Sequence, residues 1–171
     1  MTTVVITGFM ATGKSSVGRA LAQRLSVPFV DTDTLVEKAE GRSVAEIFAA
    51  DGEEYFRAAE KAAIAAALAV PDAVVATGGG AVLDPENMRA MQAAAPIVCL
   101  RASAAAIEAR ARAGGSARPL LAGAEPRKRI EELLALREPA YARADLLMDT
   151  TNRAVADLVD EIQSFLQTAA H

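Results

Sequence analysis

Apolar residues along this chain fall into two spacings. Short unbroken runs recur at Thr3-Val4-Val5-Ile6-Thr7, Pro28-Phe29-Val30, Ala73-Val74-Val75-Ala76, Ile97-Val98-Cys99-Leu100 and Leu146-Leu147-Met148. Runs this short, without polar alternation, predict strands covered on both faces, as in a parallel sheet. Between them, apolar positions three and four apart predict helices over Lys14 to Leu25, Ser43 to Ala50, Glu53 to Leu68, Pro85 to Ala93, Ala104 to Ala111, Arg127 to Leu136 and Val155 to Leu166. Strand alternating with helix argues for an α/β fold: a central parallel sheet, right-handed crossovers, and ligands bound outside the carboxyl ends of the strands. Two intervals break the alternation. From Thr34 to about Ala67 helix follows helix with no strand, and Ala113 to Glu125 reads as a loop.

The chain has 171 residues, one domain's worth and enough to bury a proper core. No internal repeat or separable second domain is visible. Hydrophobic residues make up 52%, and the many alanines favour helix over a disordered chain. No apolar run approaches bilayer-spanning length and no signal peptide precedes the first strand, so the expected location is the cytoplasm, with no membrane partner. Cys99 lies within a strand-like run and reads as a core thiol, while His171 stands last and suggests no chemistry. The net charge of −4 argues against a general nucleic-acid binder. Its distribution says more. Arg101 to Arg143 holds nine Lys/Arg against five Asp/Glu, and the remainder nine against seventeen. A basic segment in an acidic chain is either a solvated helix face or a site for an anionic ligand.

Directly after the first strand, Gly8-Phe9-Met10-Ala11-Thr12-Gly13-Lys14-Ser15 fits the G-x-x-x-x-G-K-[ST] phosphate loop. A strand delivering the chain to a tight turn at a helix N-terminus makes a concavity of backbone N–H groups that binds polyphosphate. Lys14 would reach the terminal phosphates and the Ser15 hydroxyl would hold Mg²⁺, with Ala11, Thr12, Gly13 and Ser16 completing the nucleotide cradle.

Two other strand ends carry polar or glycine-rich segments. In an extended Asp31-Thr32-Asp33, residues two apart point the same way, so both carboxylates can face the phosphate loop. One would hold Mg²⁺ through water while the other takes a hydrogen bond from an attacking hydroxyl. The competing explanation is capping, by a Thr34/Glu37 box or by Asp33 as N-cap. Gly78-Gly79-Gly80 implies either a ligand lying close to the backbone or a turn needing positive φ. Arg57 is cheaply explained by helix-surface pairs with Glu53 and Glu60. Arg118, in a Gly-flanked loop, reads as a lid cation able to neutralise a transferring phosphoryl group. Arg137, before Glu138-Pro139, sits at a predicted helix end, and its spacing assigns it no role.

Taken in order, these segments resemble shikimate kinases. The resemblance rests on the phosphate loop with Val17-Gly18-Arg19, Asp31-Thr32-Asp33, Gly41-Arg42-Ser43 through Phe48, and Asp51-Gly52-Glu53 through Phe56-Arg57. It continues through the triple glycine, Arg118-Pro119-Leu120-Leu121, Arg137 to Tyr141, and Asn152-Arg153. It implies a three-layer P-loop kinase of the nucleoside-monophosphate-kinase-like α/β fold, with a five-stranded parallel sheet of order 2-3-1-4-5. It further implies a single kinase domain over 1–171, with a substrate-binding helical insert at about 34–67 and a lid at about 113–125. The implied activity is Mg²⁺-dependent transfer of the ATP γ-phosphoryl to the 3-hydroxyl of shikimate, by a monomer, on the route to chorismate and aromatic amino acids. Asp33 would bind the shikimate hydroxyls and orient or deprotonate the nucleophile. Arg57 and Arg137 would grip the carboxylate, with backbone contact from Gly78, Gly79 and Gly80. Asp31 would stand behind a water on the metal held by Ser15. Lys14 and Arg118 would stabilise the transferred group, and Arg153 would lie against adenine. Phe48 and Phe56 would wall the substrate pocket. Ala11 departs from the glycine common at its position and, resisting positive φ, is expected to shift the loop slightly. The rivals are another small-molecule kinase such as a gluconate kinase, a nucleoside monophosphate kinase, or a non-catalytic ATP-binding sensor. The second would need more arginines, and the last would have no need of Asp33.

Overall fold

The five apolar runs become five parallel strands: β1 (Val4–Gly8), β2 (Phe29–Asp31), β3 (Val74–Ala76), β4 (Ile97–Arg101) and β5 (Leu146–Asp149). The computed structural model describes residues 3–114 and 123–170. Strand order is β2-β3-β1-β4-β5, all neighbours parallel. In register, Ile6 of central β1 lies opposite Ala76 and Val98. Every residue of β1 is buried, which its unbroken apolar run requires, and each such Val or Ile contributes about 1.5–3 kcal/mol.

Helices α1 (Lys14–Leu25), α2 (Thr32–Glu40), α3 (Val44–Leu68), α4 (Pro85–Ala94), α5 (Ala104–Ala113), α6 (Pro126–Tyr141) and α7 (Val155–Ala169) complete the described chain. Alternation along β1 separates two cores. Val4 and Ile6 pack with Val17, Leu21, Leu158 and Ile162 of α1 and α7. Val5 packs on the other face with Ile64, Met91, Ile107 and Ile130 of α3 to α6. Three layers result. Val36, Ile47 and Phe56 form a small third cluster that joins α2 to α3. Cys99 is fully buried, and burial pushes its thiol up to about 11, as a core thiol should show.

Three details differ from the sequence reading. Neither Thr34/Glu37 nor Asp33 caps α2. Asp31, still extended at the end of β2, takes Asp33 N–H (2.9 Å) and Thr34 N–H (3.4 Å) on Oδ1. The helix therefore begins one residue after the strand, too soon for an extended Asp31-Thr32-Asp33. Glu37 instead accepts the Val44 N–H across to α3 (3.0 Å). Secondly, α6 runs through Pro139 to Tyr141 rather than stopping at Leu136, so Arg137 lies inside it. A proline within a helix removes one hydrogen bond. Tertiary anchors outweigh that loss here: Glu138 pairs with Arg101 (2.6 Å), and buried Tyr141 donates to the Gly79 carbonyl (2.7 Å). Thirdly, Ala11 adopts φ 58, the left-handed conformation that a residue with a Cβ resists. The Ser43 and Glu53 helices lie end to end across Gly52, whose φ of 82 and ψ of 179 break the ladder between them.

Candidate active site

The phosphate loop closes onto α1, whose N-cap is Gly13 (φ 99) with no capping side chain and no acidic residue in the first turn. The first N–H groups of α1 therefore meet the positive end of the helix dipole without an internal anion. Lys14 Nζ donates to the carbonyls of Gly8 (2.8 Å) and Phe9 (2.9 Å). Burial lowers its pKa to about 8, against the opposing pull of Asp33 and Asp31. Ser15 and Ser16 stand exposed on the first turn.

A cavity of about 310 Å³ opens over this loop and is lined also by Asp31, Asp33, Thr77, Gly78 and Gly79. Both aspartates thus reach the same cavity, although by a strand-to-helix corner and not by extended-chain alternation. Asp33 Oδ1 is buried without a hydrogen-bond partner among the described residues. Burial pushes its carboxyl up to about 6, with the charges of Asp31 and Glu60 adding to the rise and Lys14 opposing it.

The triple glycine follows from the charged groups packed against it. A Cβ on Gly78 would stand 2.8 Å from Glu60 Oε2 and 3.2 Å from Asp33 Oδ1. On Gly79 it would meet Arg137 Nη1 at 3.0 Å, and on Gly80 it would collide with the Arg57 guanidinium. None of the three has positive φ, so close approach is the reason for glycine here, not an unusual turn. The turn brings together Asp33 from α2, Arg57 from α3 and Arg137 from α6.

Arg57 makes both pairs that its spacing predicts, Glu60 at 2.8 Å and Glu53 at 3.4 Å. Glu60 is different from a surface partner. It is 0% exposed, its Oε2 has no hydrogen bond among the described residues, and burial raises its pKa against the pull of Arg57. The i, i+3 spacing suggested only a helix-surface pair; burial comes from the sheet-side packing of α3, which spacing does not encode. Arg137 lies over the Phe9 ring (5.2 Å), and its buried Nε has no hydrogen-bond partner among the described residues. Tyr141, unremarked in the sequence beyond the family motif, fixes the Gly79 carbonyl, and burial pushes its hydroxyl up to about 12.

Phe56 is a core residue at 4% exposure, with Phe48 stacked on it at 4.7 Å. Arg153 pairs with Glu161 of α7 (2.7 Å). Arg118 and residues 115–122 of the segment read as a lid at about 113–125 lie outside the described residues. Among the described residues no cluster of three or more His, Cys, Asp or Glu could hold a metal alone. The Ser15 hydroxyl and the Asp31 carboxylate on one cavity nevertheless fit Mg²⁺, which retains waters and takes phosphate oxygens in place of a full protein cage.

Such a loop, at the carboxyl edge of a sheet ordered 2-3-1-4-5, makes the molecule a P-loop kinase of the nucleoside-monophosphate-kinase-like fold. Beside the loop, the glycine turn gathers the carboxylates of Asp33 and Glu60 and the guanidiniums of Arg57 and Arg137. A family model described as shikimate kinase matches residues 10–167. The shikimate kinase of Caldanaerobacter subterraneus subsp. tengcongensis is 46% identical over 162 residues, 95% of this chain and 94% of the relative. That of Symbiobacterium thermophilum is 47% identical over 166 residues, 96% and 95% of the two chains. The solved shikimate kinase of Acinetobacter baumannii in complex with shikimate superposes with a TM-score of 0.92 at 29% identity, covering 99% of this chain and 94% of that one. The chain belongs to the shikimate kinase family.

Proposed function

We infer that this protein transfers the γ-phosphoryl of ATP to the 3-hydroxyl of shikimate, giving shikimate 3-phosphate for chorismate and aromatic amino acid synthesis. The observation that carries the reading is the meeting of Asp33, Arg57 and Arg137 at one glycine turn beside the phosphate loop. Such a set suits a small acid bearing hydroxyls. The A. baumannii complex with shikimate supports the same acceptor. A coupled ADP-release assay with shikimate, gluconate and nucleoside monophosphates tests it. Turnover confined to shikimate is expected, and comparable turnover with gluconate would overturn the assignment.

In this reading Arg57 and Arg137 bind the carboxylate and Gly78 to Gly80 supply backbone contact. Asp33 accepts the proton of the 3-hydroxyl or its hydrogen bond. Residues Ala11 to Ser16 cradle the triphosphate, and Arg153 faces adenine once released from Glu161. Arg118 supplies the lid cation. Mg²⁺, held by Ser15 and through water by Asp31, supplies charge neutralisation at the phosphates when bound. Phosphoryl transfer asks mainly for positioning and electrostatic stabilisation, which Lys14 and the loop amides provide. The insert at about 34–67 would carry the acceptor site and the segment at about 113–125 would close over ATP. We read the protein as a cytoplasmic monomer without nucleic-acid or membrane partners. Among the described residues no helix is long and apolar enough to cross a membrane.

Two predictions arise here. Arg137→Ala should raise the shikimate KM by about 10- to 100-fold through loss of a charge-assisted pair, with the ATP KM nearly unchanged. A rise confined to the ATP KM would remove Arg137 from the acceptor site. The second concerns pH. Asp33 can take the proton of the hydroxyl only when ionised, and burial has moved its pKa upward. The acid limb of kcat/KM for shikimate should therefore bend near 6, not near the 3.8 of an ordinary aspartate. A profile flat down to the ordinary value would exclude Asp33 as the titrating group.

A further inference from the structure

Ala11 holds a conformation that residues with a Cβ resist, and its neighbours show what keeps it there. Its carbonyl accepts from Arg110 Nη1 of α5 (3.2 Å). The same guanidinium donates through Nη1 to Thr150 Oγ1 (3.0 Å) and through Nη2 to the Thr150 carbonyl (2.8 Å), just beyond β5. Thr150 is 3% exposed. Its hydroxyl lies 2.8 Å from the carbonyl of Thr12 and 3.0 Å from that of Arg101. A hydroxyl has one proton to give. Arg101 O already receives the Thr150 N–H (2.7 Å), so the carbonyl that depends on the hydroxyl is that of Thr12. Two consecutive carbonyls of the phosphate loop are thus fastened to one strut.

The consequence follows from peptide planarity. In a trans peptide C=O and N–H point in opposite directions. Fastening the carbonyls of Ala11 and Thr12 aims the N–H groups of Thr12 and Gly13 away from the strut. Neither Arg110 nor Thr150 lines the cavity over the loop.

We propose that Thr150, acting with Arg110, is a positioning residue for nucleotide binding: the pair holds the strained phosphate loop in its anion-receiving form before any nucleotide arrives. The proposal rests on the loop being the triphosphate site. The nucleotide then meets a formed cradle, and the binding free energy is not spent on turning peptide planes.

The test compares Thr150→Val, which keeps the shape and removes the hydroxyl, with Thr150→Ser, which restores it. ADP affinity by calorimetry, the KM for ATP and for shikimate, and the melting temperature are measured for each, beside Lys14→Met. Thr150→Val should weaken ADP and raise the ATP KM by about tenfold, from the lost hydrogen bond to a buried carbonyl, with the shikimate KM within about twofold. Thr150→Ser should recover most of that loss. Should Thr150→Val fail to fold, Arg110→Lys, which keeps the charge and loses the planar fork, should raise the ATP KM by about fivefold. Unchanged ADP affinity in the folded variant, an equal loss toward shikimate, or a serine variant as weak as the valine one each overturns the strut. Lys14→Met separates the two levels. If it binds ADP like the parent protein, the triphosphate reading of the loop fails and the strut falls with it. If it weakens ADP while Thr150→Val does not, only the strut fails.

Discussion

Asp33→Asn is expected to lower kcat by about 10²- to 10⁴-fold while ADP binding stays intact, and to raise the melting temperature at neutral pH. The first half follows from position. Asp33 Oδ1 is buried, has no hydrogen-bond partner among the described residues and is directed at the Gly78 side of the cavity, where an acceptor hydroxyl would supply that hydrogen bond. Asparagine can still accept that bond, but it cannot take the proton. The second half follows from linkage. The folded protein holds the Asp33 proton more tightly than the unfolded chain, about 6 against 3.8. The carboxylate therefore costs stability: nothing below the unfolded value, progressively more through that window, and the full amount above about 6. Two units correspond to a penalty on the order of 2–3 kcal/mol, which a neutral amide avoids. For a chain of this size that is a rise of roughly 5 °C or more at neutral pH. The difference should shrink as pH falls through the window. An unchanged kcat would remove Asp33 from the mechanism. A melting temperature that does not rise at neutral pH would refute the buried-charge argument while leaving the kinetic one standing.

Strands were readable because an unbroken run such as Val4-Val5-Ile6 has only one sensible place, between two helical layers. Strand order was not in the alternation itself; it came with the family resemblance. The phosphate loop was readable since its chemistry is local. What escaped is non-local. The cap of α2 passed to Asp31 because strand and helix abut, and α6 continued through Pro139 because Glu138 and Tyr141 have distant partners. Gly78 to Gly80 read as room for a ligand or as a turn with positive φ; only the fold reveals that Glu60, Asp33, Arg137 and Arg57 crowd them. Glu60 escaped for the same reason. Its spacing from Arg57 is that of a surface pair, and nothing local marks it as a buried acid.

Lys14 leads to the other large effect. Lys14→Met keeps most of the length of the side chain and removes its charge, and should lower kcat by about 10²- to 10³-fold, the loss typical of one preorganised group facing developing charge. A distinct signature accompanies it. In the free protein the ammonium rests on the carbonyls of Gly8 and Phe9, and burial holds its pKa at about 8. A polyphosphate replaces those weakly polar partners with full negative charge, which raises the pKa. Nucleotide binding at pH 8 should therefore take up about half a proton per site, falling toward none as the pH drops a unit or more and Lys14 is already charged. Calorimetric titration of ADP in buffers of different ionisation enthalpy reads this uptake directly. It should vanish in Lys14→Met. Uptake that persists in the variant would assign the proton to another group, and no uptake in the parent protein would mean that Lys14 is fully charged before nucleotide binds. Either result would overturn the depressed pKa of Lys14 as the source of the uptake, while a collapse of kcat would still stand as evidence that its charge meets the transferring group.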